Sequence, residues 1–413
     1  MTAIRTVLSL AAVAALAGGC QTNPESVKST NAPEIKPTVG EPAKKKAEDL
    51  AAVTGGPAKG KRDAKLETVA LFDTQPVGIA VSKTGRKFVS FPRWADPVKN
   101  TLVELKDGEL AAFPDEATNA FDGTKPNEFD PKDHFVSVQA IVFDEQDRLW
   151  VLDPGSFNFA PNLPGGPKLW AYDIVTGKPV KKIAFPADVA NKMTALNDVR
   201  LDLKRGPEGT AYITDSGVGG IIVVDIASGK SWRHLDGHPS VLPVPGLNMT
   251  TEGEPFLMRK PTKEIAAPDF RADGIALSPD GKTLYYMPVV SHSVYAVPTD
   301  LLADEKADPA AVAAAVKEVA TKPSGNDGIW CDQATGHIYT TDVEDNTIRR
   351  VDPKTGQASV VVQDERLIWP DTVTIHDGWL YVTSNQLARQ PNYHFGKDLR
   401  KPPYALFRVK IDG

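Results

Sequence analysis

The 413-residue chain is 41% apolar and 24% charged, the proportions of a globular protein with a sizeable core. Its 34 prolines and 32 glycines argue against a helical protein, and two cysteines, Cys20 and Cys331, exclude a disulfide framework. A net charge of −6 argues against nucleic acid as a partner and suits cationic ligands.

The chain opens with a short basic start, Met1 to Arg5, followed by the apolar, small-residue run "TVLSLAAVAALAGG" and then Cys20. That run is shorter than the roughly 20 residues needed to span a bilayer, but it suits the core of a signal peptide over residues 1–19. "LAGGC" resembles a bacterial lipobox, which would make Cys20 the lipidated N-terminus after cleavage. The alternative is an ordinary secretory signal with an incidental cysteine. The expected location is outside the cytoplasm: an outer-membrane-anchored lipoprotein of the cell envelope, or a periplasmic or extracellular protein. Contact with membrane would run only through the N-terminal lipid.

Residues 20–65 hold no aromatic residue and are rich in Pro, Lys, Gly and Ala, so they are expected to form a disordered tether. Residues 1–65 carry 10 Lys+Arg against 6 Asp+Glu, which leaves the remainder of the chain at −10.

From residue 66 on, one unit recurs six times: an opening residue, an apolar run, a turn, and a second run rich in aromatics. The copies begin at Val77, Gln139, Asp198, Asp273, Asp327 and Asp371, with spacings of 62, 59, 75, 54 and 44 residues. Each spacing can hold four short strands, and the runs are rich in Val, Ile, Tyr and Trp. Further strands follow most copies, as in "KLWAYDIVTGKPVKKIAF" and "NTIRRVDPKTGQASVVV", with Asp-x-x-x-Gly hairpin punctuation. Six units of four antiparallel strands predict an all-β, six-bladed β-propeller over residues 66–413. "KLETVALFD" is expected to supply the outer strand of the last blade and so close the ring. Residues 100–133 read as a long loop over one face. "LLADEKADPAAVAAAVKEVA" reads as a surface helix between blades four and five, with Asp308 and Pro309 at its N-terminus.

In a propeller the first strand of each blade lines the central channel. The opening residues would therefore gather at one mouth, bringing Asp198, Asp273, Asp327 and Asp371 together beside Gln139 and Asn197. Carboxylates held that close raise one another's pKa or demand a cation. An oxygen-rich cluster suits a hard divalent ion, Ca²⁺ or Mg²⁺, with those four aspartates as candidate ligands. The plainer reading is that Asp-Gly is a turn pair whose acid caps backbone N–H groups. A second layer, Asp153, Asp215, Asp342 and Asn385, lies at the ends of the paired strands and stands open between turn and site. Trp94 and Trp369, beside turn prolines, are the candidates for a ligand-facing ring, while Trp150, Trp170 and Trp330 read as core. His234 and His238 sit in turn-like sequence, and Cys331 reads as a buried hydrophobe. No G-x-S-x-G, P-loop or G-x-G-x-x-G pattern is present.

"GRKFVSFPRW" (85–94), "DRLWVLDPG" (147–155), "GIALSPDGKTLYYMPVVSHSVYAVPT" (274–299) and "GWLYVTSNQL" (378–387) together resemble the yellow/major royal jelly protein family. The resemblance implies a secreted six-bladed propeller. Insect members include dopachrome-converting enzymes and salivary proteins that bind biogenic amines in the channel. A more distant likeness is to the regucalcin/gluconolactonase family, which implies a divalent metal on the axis held at the starts of inner strands. Asp273, Asp327 and "LNDVRLD" fit that pattern, whereas Val77 stands where that family has a glutamate. Two functions follow: a propeller binding a small polar or cationic molecule, or a metal-dependent isomerase or lactonase using the same channel.

Overall fold

A computed structural model describes residues 56–411 apart from 95, 126 and 127. The segment expected to be a signal peptide, Cys20 and most of the expected tether lie outside the described residues. Six four-stranded antiparallel sheets stand around a common axis. Their innermost strands are Ile79–Val81, Ala140–Phe143, Leu196–Asp202, Ala272–Leu277, Asn326–Cys331 and Pro370–His376. Each packs against the next and the last against the first, so they form a closed ring. Blades one to five use four consecutive strands. Blade six takes its outer strand, Glu67–Phe72, from the N-terminal side, where it pairs with Tyr404–Lys410. That pairing covers the sheet edge a sixth blade would otherwise expose.

The period of two along each strand decides how the blades adhere. On the second strand of blade three, Ala211 and Ile213 pack toward blade two while Tyr212 packs toward blade four. Six such clusters fill the six gaps between blades. Burying each large aliphatic or aromatic side chain there contributes roughly 1.5–3 kcal/mol. A seventh cluster, with Phe256, Val289, Trp369, Leu387 and Tyr393, lies over one mouth of the channel.

Three sequence expectations change. Residues 100–133 are not one loop, because Leu102–Lys106 and Glu109–Ala112 form the outer hairpin of blade one around Asp107-Gly108. The helical insertion lies inside blade four rather than after it. Two short helices, Thr299–Ala303 and Pro309–Ala314, precede that blade's outer strand, Lys317–Thr321. Asp308 caps the second helix by accepting from Ala310 N at 3.0 Å. The "KEVA" that looks helical by composition is strand, since the ring needs a fourth strand there and a neighbouring sheet edge overrides weak propensity. Residues 56–65, expected as tether, dock on the loop after blade five. Gly60 N and Arg62 Nε donate to Glu365 at 2.7 and 2.6 Å, Asp63 N donates to Asp364 at 2.9 Å, and Ala58 is buried. Arg62 here supplies a charge partner, Lys61 donates to Gln363, and Gly56 and Gly60 supply turns.

Candidate functional site: the acidic channel mouth

The opening residue of each blade sits where its inner strand enters the ring. In blades three to six the strand pairing slips at that point: between Leu196 and Val199, Ala272 and Gly274, Asn326 and Ile329, and Pro370 and Val373. A bulge of this kind re-aims a side chain, and it falls on Asn197-Asp198, Asp273, Asp327 and Asp371. Blades one and two, which open with Val77 and Gln139, show no slip within their inner pairs.

The glycine after the acid has a reason other than a turn. A Cβ on Gly274 would meet the Asp327 carbonyl oxygen at 2.6 Å, one on Gly328 the Asp371 carbonyl at 2.4 Å, and one on Gly78 the Gln139 carbonyl at 3.1 Å. The inner strands approach too closely for any side chain, which answers the turn reading of Asp-Gly. Hydroxyls of second strands then stitch the ring. Ser90 donates to Gln139 O (2.8 Å), Thr214 to Asp273 O (2.5 Å), Thr341 to Asp371 O (2.9 Å) and Thr383 to Val77 O (2.7 Å). Gly328→Ala is expected to cost about 1–3 kcal/mol by overpacking. The check is the denaturation midpoint, and an unchanged midpoint would contradict this close approach.

Of the four predicted acids, three converge. Asp273, Asp327 and Asp371 line a cavity of about 310 Å³ together with Gln139, Asn197, Trp94 and Trp369. Asp273 and Asp371 both feel the charge of Asp327, so the three carboxyls act on one another. Each carboxyl also receives an N–H donor. Asn197 Nδ2 donates to Asp273 at 2.6 Å, Trp369 Nε1 to Asp327 at 2.5 Å, and Asn385 Nδ2 to Asp371 at 2.6 Å. Gln139 Nε2 donates to Asn197 Oδ1 at 3.2 Å, extending the polar chain to blade two. Burial, then the charge on Asp327, pushes Asp273 and Asp371 well above the usual carboxylate range. Burial raises Asp327 as well, against the lowering pull of its bonds to Asp273, Trp369 and Asp371.

Asp198, the fourth expected acid, does not join the cavity lining. It turns to Arg200 on the same face of its strand, where Nη1 donates to Asp198 Oδ1 at 2.8 Å. Burial raises its pKa, and the arginine offsets this only in part. Asn385, too, stands behind the cavity wall and reaches it through Asp371.

Both candidate tryptophans face the cavity. Trp94 stacks on Phe159 (centroids 5.5 Å apart, planes at 22°), and Phe159 and Met193 are exposed at the rim. Trp369 is buried, with φ at 53°, a sparsely populated conformation for an aromatic residue that here aims its indole N–H at Asp327. Phe256 packs behind it, 5.0 Å from Trp369 and 5.1 Å from Tyr393. Phe270, Tyr393, Leu387 and Phe159 were not expected to line the site. They lie in connections of irregular length, where no period marks them. Trp150, Trp170 and Cys331 are buried as expected, and burial pushes the Cys331 thiol up to about 12.

The second layer is structural. Asp153 accepts from Val136 N, Ser137 N and Gly155 N and pairs with Lys168 at 2.8 Å. Asp215 accepts from Ala195 N and pairs with Arg233 at 3.0 Å, and Asp342 pairs with Lys322 at 2.9 Å and also with Arg349. In blades two and three these acids fix the loop leading into the inner strand, and so they place Gln139 and Asn197. His238 accepts from Ser240 N at the start of a short 3₁₀ turn, and His234 ends an outer strand.

The donor set does not fit a divalent ion. Val77 offers no side-chain oxygen, Asp198 is held by a guanidinium, and the three remaining carboxyls each carry an N–H donor. Among the described residues no group of three or more His, Cys, Asp or Glu is arranged to hold a metal. The same geometry suits a ligand that brings its own N–H donors and positive charge.

Ring and mouth define a six-bladed β-propeller whose channel opens on an acid-floored, aromatic-walled pocket. Residues 136–410, more than half of the chain, match the family described as Major royal jelly protein, and the chain belongs to that family. Similar proteins include Protein yellow of Drosophila erecta, 29% identical over 253 residues, and Protein yellow of Drosophila yakuba, 28% identical over 253 residues. Each match covers 56% of this chain and 42% of the relative, so the chain spans less than half the length of these relatives. Among solved structures, a gluconolactonase from Xanthomonas campestris superposes with a TM-score of 0.51 at 14% identity, covering 88% of this chain and 92% of that one. A luciferin-regenerating enzyme gives 0.50 at 15% identity, covering 84% and 97%. At these identities the likeness is one of fold.

Proposed function

We propose that this protein is an exported, lipid-anchored propeller that binds a small organic cation at the acidic mouth of its channel. Export and anchoring rest on the basic start, the apolar run and Cys20. The binding reading is carried by one observation: three carboxyls, Asp273, Asp327 and Asp371, gathered on the floor of a cavity walled by Trp94 and Trp369. An ammonium group donates the hydrogen bonds and the charge that this floor lacks, and its organic part gains contact with the indole faces. The cavity volume suits a molecule of about the size of a single-ring amine.

The test is a pair of isosteres, 2-phenylethylammonium and 3-phenylpropanoate, titrated into the purified protein by calorimetry. The cation is expected to bind and the anion not to. Trp94→Ala is expected to weaken the cation roughly 2- to 30-fold, the range for a partly desolvated cation–aromatic contact. Equal affinity for both probes, or binding of the anion alone, would refute the proposal.

A further inference from the structure

Arg200 carries a feature that the propeller fold does not require. It lies on the inner strand of blade three and is 7% exposed. Its Nη1 donates to Asp198 Oδ1 at 2.8 Å and to Val199 O at 2.7 Å, and its Nη2 donates to Ile329 O at 2.8 Å. Ile329 belongs to the inner strand of blade five. Because the ring order is three, four, five, a side chain joining three to five must pass in front of blade four, through the channel itself. There the guanidinium lies over the Trp330 ring, 4.4 Å from its centroid. Its Nε is buried without a hydrogen-bond partner, an imperfection tolerated where charge matters more than full satisfaction. The pocket lining stops at Asp273, Asp327 and Asp371 and includes neither Arg200 nor Trp330.

We infer that Arg200 is the resident cation of this channel: its guanidinium, lying with Trp330 behind the pocket lining, takes the electrostatic place of an axial divalent ion. A fixed positive charge paired with the buried Asp198 lowers the cost of ionising that carboxyl without demanding metal. The inference is independent of which molecule occupies the mouth, because its readout is metal alone.

The experiment measures Ca²⁺ and Mg²⁺ binding by calorimetry, and the unfolding midpoint with and without millimolar Ca²⁺, for the wild type, Arg200→Lys and Arg200→Met. The wild type and Arg200→Lys are expected to show no binding heat and no midpoint shift. Arg200→Met, which keeps the bulk and loses the charge, is expected to bind one Ca²⁺ and rise in midpoint by roughly 2 °C or more. Should Arg200→Met not fold in metal-free buffer, the inference expects Ca²⁺ to restore folding. A wild type that binds one divalent ion, a folded Arg200→Met indifferent to Ca²⁺, or an unfolded one that Ca²⁺ does not rescue would each overturn it.

Discussion

Asp327→Asn is expected to make the protein more stable at neutral pH and, in the same step, to weaken cation binding by at least tenfold. The central carboxyl lines the cavity with two others and accepts from Trp369 Nε1 at 2.5 Å. An asparagine keeps that acceptor and adds N–H groups that either neighbour can accept, so the hydrogen bonds survive while a charge disappears. Burial raises all three carboxyls, so the folded state holds protons that the unfolded chain has released. Stability conferred by a raised group is fully present below its unfolded pKa, near 4, and is lost as pH climbs through the folded value. The wild type should therefore lose stability from about pH 4 upward, and the variant should lose less. A tenfold change in proton affinity is worth about 1.4 kcal/mol, so the gain at neutral pH is on the order of 1–2 kcal/mol. Thermal melts of both proteins across that pH range provide the check. A variant less stable than wild type at neutral pH would mean that the three carboxyls are not in conflict.

The largest loss of stability is expected from Lys168→Met. The ammonium is buried with Asp153, with side-chain exposures of 2% and 0%, and also donates to Pro131 O and Gly166 O at 3.0 Å each. Burial pulls the Lys168 pKa down and the Asp153 charge holds it up. Deleting the cation strands a carboxylate that cannot reach water, which typically costs about 3–5 kcal/mol. Adding Asp153→Asn removes the uncompensated charge and keeps one acceptor oxygen for the Ser137 and Gly155 amides at the cost of the Val136 bond, so the double variant should recover part of the loss. Since Asp153 holds the loop that delivers Gln139, the single variant should also bind the cation less well. Urea denaturation decides the matter: a cost below about 1 kcal/mol for Lys168→Met would show that the pair is not a fastening of blade two.

How much of this was legible in the sequence depends on how locally each feature is encoded. The six units could be found because each couples an opening residue to two runs with strand periodicity. The closing strand could be found because "KLETVALFD" had no other partner. The meaning of Asp-Gly was hidden. Gly274 and Gly328 are required by carbonyls on the next blade, more than forty residues away, and a turn would look the same. Asp198 misled because its position in the unit matched the other acids. Its partner was nonetheless in view two residues on, since Arg200 shares its strand face. The blade-four helices were seen but misplaced, because an alanine-rich stretch gives no sign that the outer strand follows it. The pocket walls, from Phe159 to Tyr393, come from connections between elements, and tertiary packing alone brings them to the mouth.

The central claim is that Asp273, Asp327 and Asp371 act as a set whose protons an organic cation displaces. Titrating 2-phenylethylammonium near neutral pH in buffers of differing ionisation enthalpy measures that displacement directly. The predicted result is a fractional proton released per cation bound, with affinity rising as pH increases toward 8. Binding with no proton release and no change with pH would contradict it.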